Sequence, residues 1–127
     1  MTEHEDPRLG IVWFAVAMLV LAGLFHLTVA LVALLRSTAF VGTPVFGTYT
    51  GWAIFGFVVA AALFLAAALI TEGSSGGRIL GIVLAMVSAV GELLFADANP
   101  AWSVVVIAID VIIIWVLAAH GEKFTSA

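Results

Sequence analysis

Four long apolar runs dominate the chain, over residues 11–35, 52–70, 78–95 and 101–119. The first is interrupted by His26 and Thr28, the third by Ser88 and Glu92, and the fourth by Ser103 and Asp110. The second, from Trp52 to Ile70, is built mainly from Ala, Leu, Val and Phe. A membrane-spanning helix needs about 20 apolar residues. These runs are of that length, and none alternates as a half-buried strand would. A spanning β-barrel would need at least about eight shorter alternating segments. The pattern predicts an all-α fold, a four-transmembrane-helix up-down bundle forming one domain over residues 1–127.

The breaks between the runs carry turn chemistry. Gly73-Ser74-Ser75-Gly76-Gly77 reads as a short hairpin loop. In Asp97-Ala98-Asn99-Pro100, Asn99 suits an N-cap and Pro100 the first helical position. Trp102 follows at a depth where indole suits the headgroups. The longest break, residues 36–51, holds Phe40, Pro44, Phe46 and Tyr49, which suggests a segment lying on the membrane surface. Short breaks make neighbouring helices antiparallel.

Composition sharpens the class. The chain is 65% hydrophobic and 9% charged, against about 45–50% and about 25% in soluble domains. So few charges cannot cover a soluble exterior, and four Lys and Arg make no basic patch for nucleic acid. The absence of cysteine excludes disulfides and thiolate metal sites. Net charge is −4, and three of the acids, Glu3, Glu5 and Asp6, lie in the first six residues. An acidic start followed by a charge-free stretch over residues 9–35 is unlike a cleaved signal peptide. Arg8, Arg78 and Lys123 fall on one side of an up-down bundle and Arg36 on the other. The positive-inside bias therefore predicts a cell-membrane protein with both termini in the cytoplasm.

The few polar residues inside the runs are the candidate chemistry. A charge at the bilayer centre costs about 2.5–3.5 kcal/mol on insertion scales, so His26, Glu92 and Asp110 should face inward. His26 is flanked at helical spacing by Ala22, Gly23, Ala30 and Ala33. Glu92 shares its face with Ser88, beyond a stripe of Gly77, Gly81, Ala85 and Ala89. Small residues at four-residue spacing let membrane helices approach closely, so the stripe reads as helix packing. Asp110 lies near the middle of its run among Val106, Ile107, Ile113 and Ile114. Counting about 1.5 Å per residue from each run's centre puts His26, Glu92 and Asp110 in one layer. The expected polar cluster is His26, Ser88, Glu92 and Asp110. In low dielectric its two carboxyl groups cannot both ionise uncompensated, so a shared proton with His26 as hydrogen-bond partner is one expected state. Mutual hydrogen bonding that pins helix register is the more economical reading.

Other chemistries find no motif. No H-E-x-x-H or comparable spacing marks a metal site. Gly73–Gly77 lacks the lysine of a phosphate-binding loop. His26 and His120 lie at different depths, which does not suit axial haem ligation, and His120 suits the interface. Ser103 has no histidine base near it in sequence. Neither cofactor nor metal is expected, nor enzymatic activity.

Certain stretches resemble a group of small four-helix membrane proteins of actinobacterial type, classed as a domain of unknown function. They are Trp13-Phe14, Ala22-Gly23-Leu24-Phe25, Gly51-Trp52, Arg78 with Gly81-Ile82-Val83-Leu84-Ala85, and above all the last run. There Pro100-Ala101-Trp102-Ser103, Ile107-Ala108-Ile109-Asp110-Val111 and His120-Gly121 carry the likeness. The group often has Asn at the position of His26, an acid at Val29, Asn at Ser88 and an amide at Glu92. The resemblance thus singles out Asp110 as the shared polar feature and implies fold and location without an activity. The expectation is a non-enzymatic accessory or interaction subunit in the bilayer, bound to a larger membrane protein or to itself. The alternative is a small proton-coupled transporter or channel component using the intramembrane acids.

Overall fold

A computed structural model describes residues 7–35, 49–96 and 100–120. They form four helices: α1 (Pro7–Leu35), α2 (Tyr49–Thr71), α3 (Ser75–Phe95) and α4 (Pro100–Ala119). All four are long and apolar enough to cross a membrane, and no strand occurs among the described residues. The surface segment expected at Phe40, Pro44 and Phe46 and the N-cap expected at Asn99 lie outside the described residues.

The helices pack as a ring, α1 on α2, α2 on α3, α3 on α4 and α4 on α1. Cross-helix neighbours fix the directions. Gly23 faces Phe64 and Gly56 faces Ala30, so α1 and α2 are antiparallel. Gly77 faces Ile70 while Gly91 faces Phe55, so α2 and α3 are antiparallel too. One end of the bundle gathers the starts of α1 and α3 and the ends of α2 and α4. The other gathers the ends of α1 and α3 and the starts of α2 and α4.

The α2–α3 connection is tighter than the glycine-rich sequence suggests. Helix α3 begins at Ser75, so Ser75, Gly76 and Gly77 are helical instead of looped. Gly73 has φ 82°, the left-handed conformation that closes a helix, and its N–H bonds the Ile70 carbonyl at 3.0 Å. The Ser74 N–H bonds the Leu69 carbonyl at 2.9 Å. These are the paired bonds of a Schellman closure, which satisfies carbonyls that α2 would leave orphaned. Immediately after it, Gly77 lies against the Ile70 backbone: a Cβ there would meet Ile70 N at 2.9 Å and Leu69 Cβ at 2.8 Å.

The small-residue stripe is buried at Gly77, Gly81 and Ala85, but Ala89 is half-buried. At about 100° per residue, each four-residue step drifts about 40°, so Ala89 points about 120° away from Gly77. A shorter step corrects the drift, and the buried face continues through Ser88 and Glu92. The small residues beside His26, namely Ala22, Gly23, Ala30 and Ala33, are all buried.

The terminal end of the bundle holds the apolar core: Ala15 and Leu19 of α1, Leu63 and Ala66 of α2, Ala85 of α3, and Ile113, Val116 and Leu117 of α4. Arg78, in the first turn of α3, donates from Nε to the Leu117 carbonyl at 2.6 Å. Leu117 lies in the last turn of α4, whose carbonyls have no intrahelical partner and whose dipole favours a cation. Arg78→Gln is expected to cost about 1 kcal/mol, read as a lower unfolding midpoint in mixed micelles. An unchanged midpoint would remove Arg78 from the account of α4's end.

Candidate functional site

Five buried polar side chains lie in the half of the bundle away from the chain termini: His26, Ser88, Glu92, Ser103 and Asp110, each at most 5% exposed. Helix α1 supplies His26, α3 supplies Ser88 and Glu92, and α4 supplies Ser103 and Asp110. On α3, Ser88 and Glu92 are four residues apart and share a face. On α4, Ser103 and Asp110 are seven apart, which returns to within about 20° of the same direction. Two consecutive pairs therefore meet across the α3–α4 seam.

The hydrogen bonds follow. Ser103 Oγ donates to Glu92 Oε1 at 2.9 Å. Ser88 Oγ donates to Asp110 Oδ2 at 2.6 Å. His26 reaches across the ring, with Nε2 2.6 Å from Ser88 Oγ and Nδ1 4.0 Å from Glu92 Oε2. The second separation is too long for a direct hydrogen bond. Asp110 Oδ1 is buried and has no hydrogen-bond partner.

Depth along the helices gives the arrangement a direction. Ser103 and Glu92 are each about 4–5 Å from the loop-end termini of α4 and α3, whereas Ser88 and Asp110 are about 10–15 Å from the same termini, and His26 reaches in from α1 between the two pairs. The polar track runs from the loop end toward mid-bundle and stops at Asp110. Beyond it, among the described residues, the buried side chains are apolar.

The structure thus brings His26, Ser88, Glu92 and Asp110 together as two hydrogen-bonded sets, His26–Ser88–Asp110 and Ser103–Glu92, which face each other across the 4.0 Å between His26 and Glu92. Each carboxyl group accepts from a serine, where a proton shared directly between carboxyls was one expectation. Ser103 enters as Glu92's partner, a role missed when the residue is weighed only as a nucleophile. Its seven-residue spacing from Asp110 was the available signal. His120 is separate: its ring packs edge-on against Trp115 at 5.1 Å. Trp102, expected to reach the headgroups, is half-buried and stacks on Phe25 with ring centroids 4.9 Å apart. Among the described residues, no group of three His, Asp or Glu side chains is placed to hold a metal ion.

A small cavity adjoins the track. It has a volume of about 20 Å³ and is lined by His26, Val29, Trp52, Phe55, Gly56 and Glu92. Helix α2 forms its outer wall, because Gly56 lets the backbones of α1 and α2 approach. A Cβ on Gly56 would meet Ala30 Cβ at 3.0 Å and the His26 carbonyl at 3.3 Å.

No curated protein and no solved structure matches the chain. A family described as a domain of unknown function, DUF7144, matches residues 11–122, which include all five track residues and nearly all of the four helices. By that match the chain belongs to the DUF7144 family and is a four-helix membrane protein of unknown function.

Proposed function

We propose that the protein is a non-enzymatic accessory or interaction subunit of the cytoplasmic membrane, with both termini in the cytoplasm. The carrying observation is the one-sided track. Its polar groups bond to one another across α1, α3 and α4. Past Asp110 the bundle is filled by Leu19, Ile113, Val116 and Leu117. Such a network sets helix register, a known use of buried polar groups. It does not favour a through-path for ions within one chain. The exterior presents aliphatic and aromatic side chains such as Trp13, Ile54, Val58, Val104 and Trp115. Recognition of a larger membrane protein or of a second copy would therefore occur within the bilayer. The orientation rests on Arg8, Arg78 and Lys123 against Arg36.

Two measurements test the reading. Gentle purification from native membranes is expected to recover a partner at fixed stoichiometry, and recovery of a homogeneous self-oligomer alone would count against a heteromeric role. Liposomes containing the purified protein are expected to show no proton flux above protein-free vesicles. Flux abolished by Asp110→Asn would replace this reading with the transporter one, which the buried acids otherwise support.

A further inference from the structure

We propose that the cavity beside His26 binds one water molecule that bridges Glu92 Oε2 to His26 Nδ1, completing a proton relay from Glu92 to Asp110. The inference stands apart from the subunit reading and rests on hydrogen-bond direction, a gap and a volume.

Direction comes first. Ser88 has one hydroxyl proton, and it is donated to Asp110 Oδ2. The 2.6 Å contact with His26 must then be a bond in which Nε2–H donates to Ser88 Oγ. A neutral ring protonated at Nε2 leaves a lone pair on Nδ1, which faces Glu92 Oε2 across 4.0 Å. Two atoms at that separation can each lie about 2.8 Å from one water oxygen. A water needs about 10–15 Å³ of accessible volume and two or more polar partners. The cavity offers about 20 Å³ and is lined by both His26 and Glu92. Its remaining walls, Val29 of α1 and Trp52, Phe55 and Gly56 of α2, contribute no titratable side chain. Ser103 holds Glu92 Oε1 from the other side and leaves Oε2 for the water.

The resulting chain reads Glu92 Oε2–H, water, His26, Ser88, Asp110. Transfer along it conserves atoms and charge. Glu92 gives its proton to the water, and the water passes one to Nδ1. Nε2 releases its proton to Ser88 Oγ as the Ser88 hydroxyl proton moves to Asp110 Oδ2. The carboxylate has moved from Asp110 to Glu92, and His26 has changed tautomer. Every heavy-atom contact serves both polarities.

The test uses the full chain in lipid bilayers with ¹⁵N-labelled histidine, and His26 signals are assigned by their loss in His26→Gln. The expected result is a neutral His26 protonated at Nε2, with Nδ1 in contact with a bound water. An imidazolium protonated at both nitrogens, a ring protonated at Nδ1 while Asp110 is ionised, or a dry Nδ1 would overturn the proposal. Val29→Leu puts one more methylene into the cavity and should abolish the water contact while helical content is unchanged. Persistence of that contact in the folded variant would also overturn it. Infrared carboxyl bands, assigned with Asp110→Asn, test the relay itself. Glu92→Gln should shift the Asp110 band in the wild-type background and leave it unshifted in Ser88→Ala. A shift that survives Ser88→Ala would show a direct field effect and sink the relay.

Discussion

Ser88→Ala is expected to destabilise the bundle by about 2–3 kcal/mol, the larger of the polar-network effects. Ser88 Oγ is the one atom bonded to both His26 and Asp110, so its loss leaves two buried groups without that partner. An interhelical hydrogen bond in a membrane protein averages only about 0.6 kcal/mol. Leaving a buried polar group unsatisfied costs about 1–3 kcal/mol, and that penalty decides the size here. Ser103→Ala removes a single bond, to Glu92, and should cost about 1 kcal/mol. The two variants are compared by denaturing-detergent titration followed by circular dichroism. Equal effects would mean that Ser88 is not the hub of the network.

Gly77→Ala should destabilise by about 1–3 kcal/mol, the range of an overpacked contact. The new methyl would meet Ile70 N at 2.9 Å and Leu69 Cβ at 2.8 Å. Ile70 N is backbone, held just ahead of the Schellman closure, so α2 and α3 must separate. Gly81→Ala is the internal control. Its methyl would meet Leu117 Cδ1 at 2.7 Å, the far end of a flexible side chain that can rotate away. Gly81→Ala is therefore expected to cost less. The same titration ranks the two, and a larger loss at Gly81 would refute the backbone-contact argument.

Much of this arrangement can be read from the sequence because membrane helices obey simple arithmetic. The length of each apolar run fixes a span, and a rise of about 1.5 Å per residue brings His26, Glu92 and Asp110 into the same region, but not into the single layer expected: Glu92 is level with Ser103 and Asp110 with Ser88. What escapes such reading depends on neighbours. The starting point of α3 is one case: Gly76 and Gly77 have poor helix propensity, and the close approach to α2 overrides it. Ala89 is another, since extending a four-residue stripe in a straight line ignores the helical drift. Arg78 reads as an orientation charge, and its bond to the Leu117 carbonyl depends on the register between α3 and α4. Ser103 fell out of view because its own neighbourhood carries no base, although its partner is on the preceding helix.

The uneven spread of polar groups among the helices has a consequence for biosynthesis. Helix α2 contributes none of the five track side chains, and its hydropathy is 2.7. Helix α3 carries Ser88 and Glu92 and has the lowest hydropathy of the four, 1.8. A chain made from its N-terminus presents α3 before Ser103 and Asp110 have been synthesised. During that interval two of the hydrogen-bond partners of α3 do not yet exist. Helix α3 is thus the span least able to commit to the bilayer alone, and the arrival of α4 is the event that locks it in place.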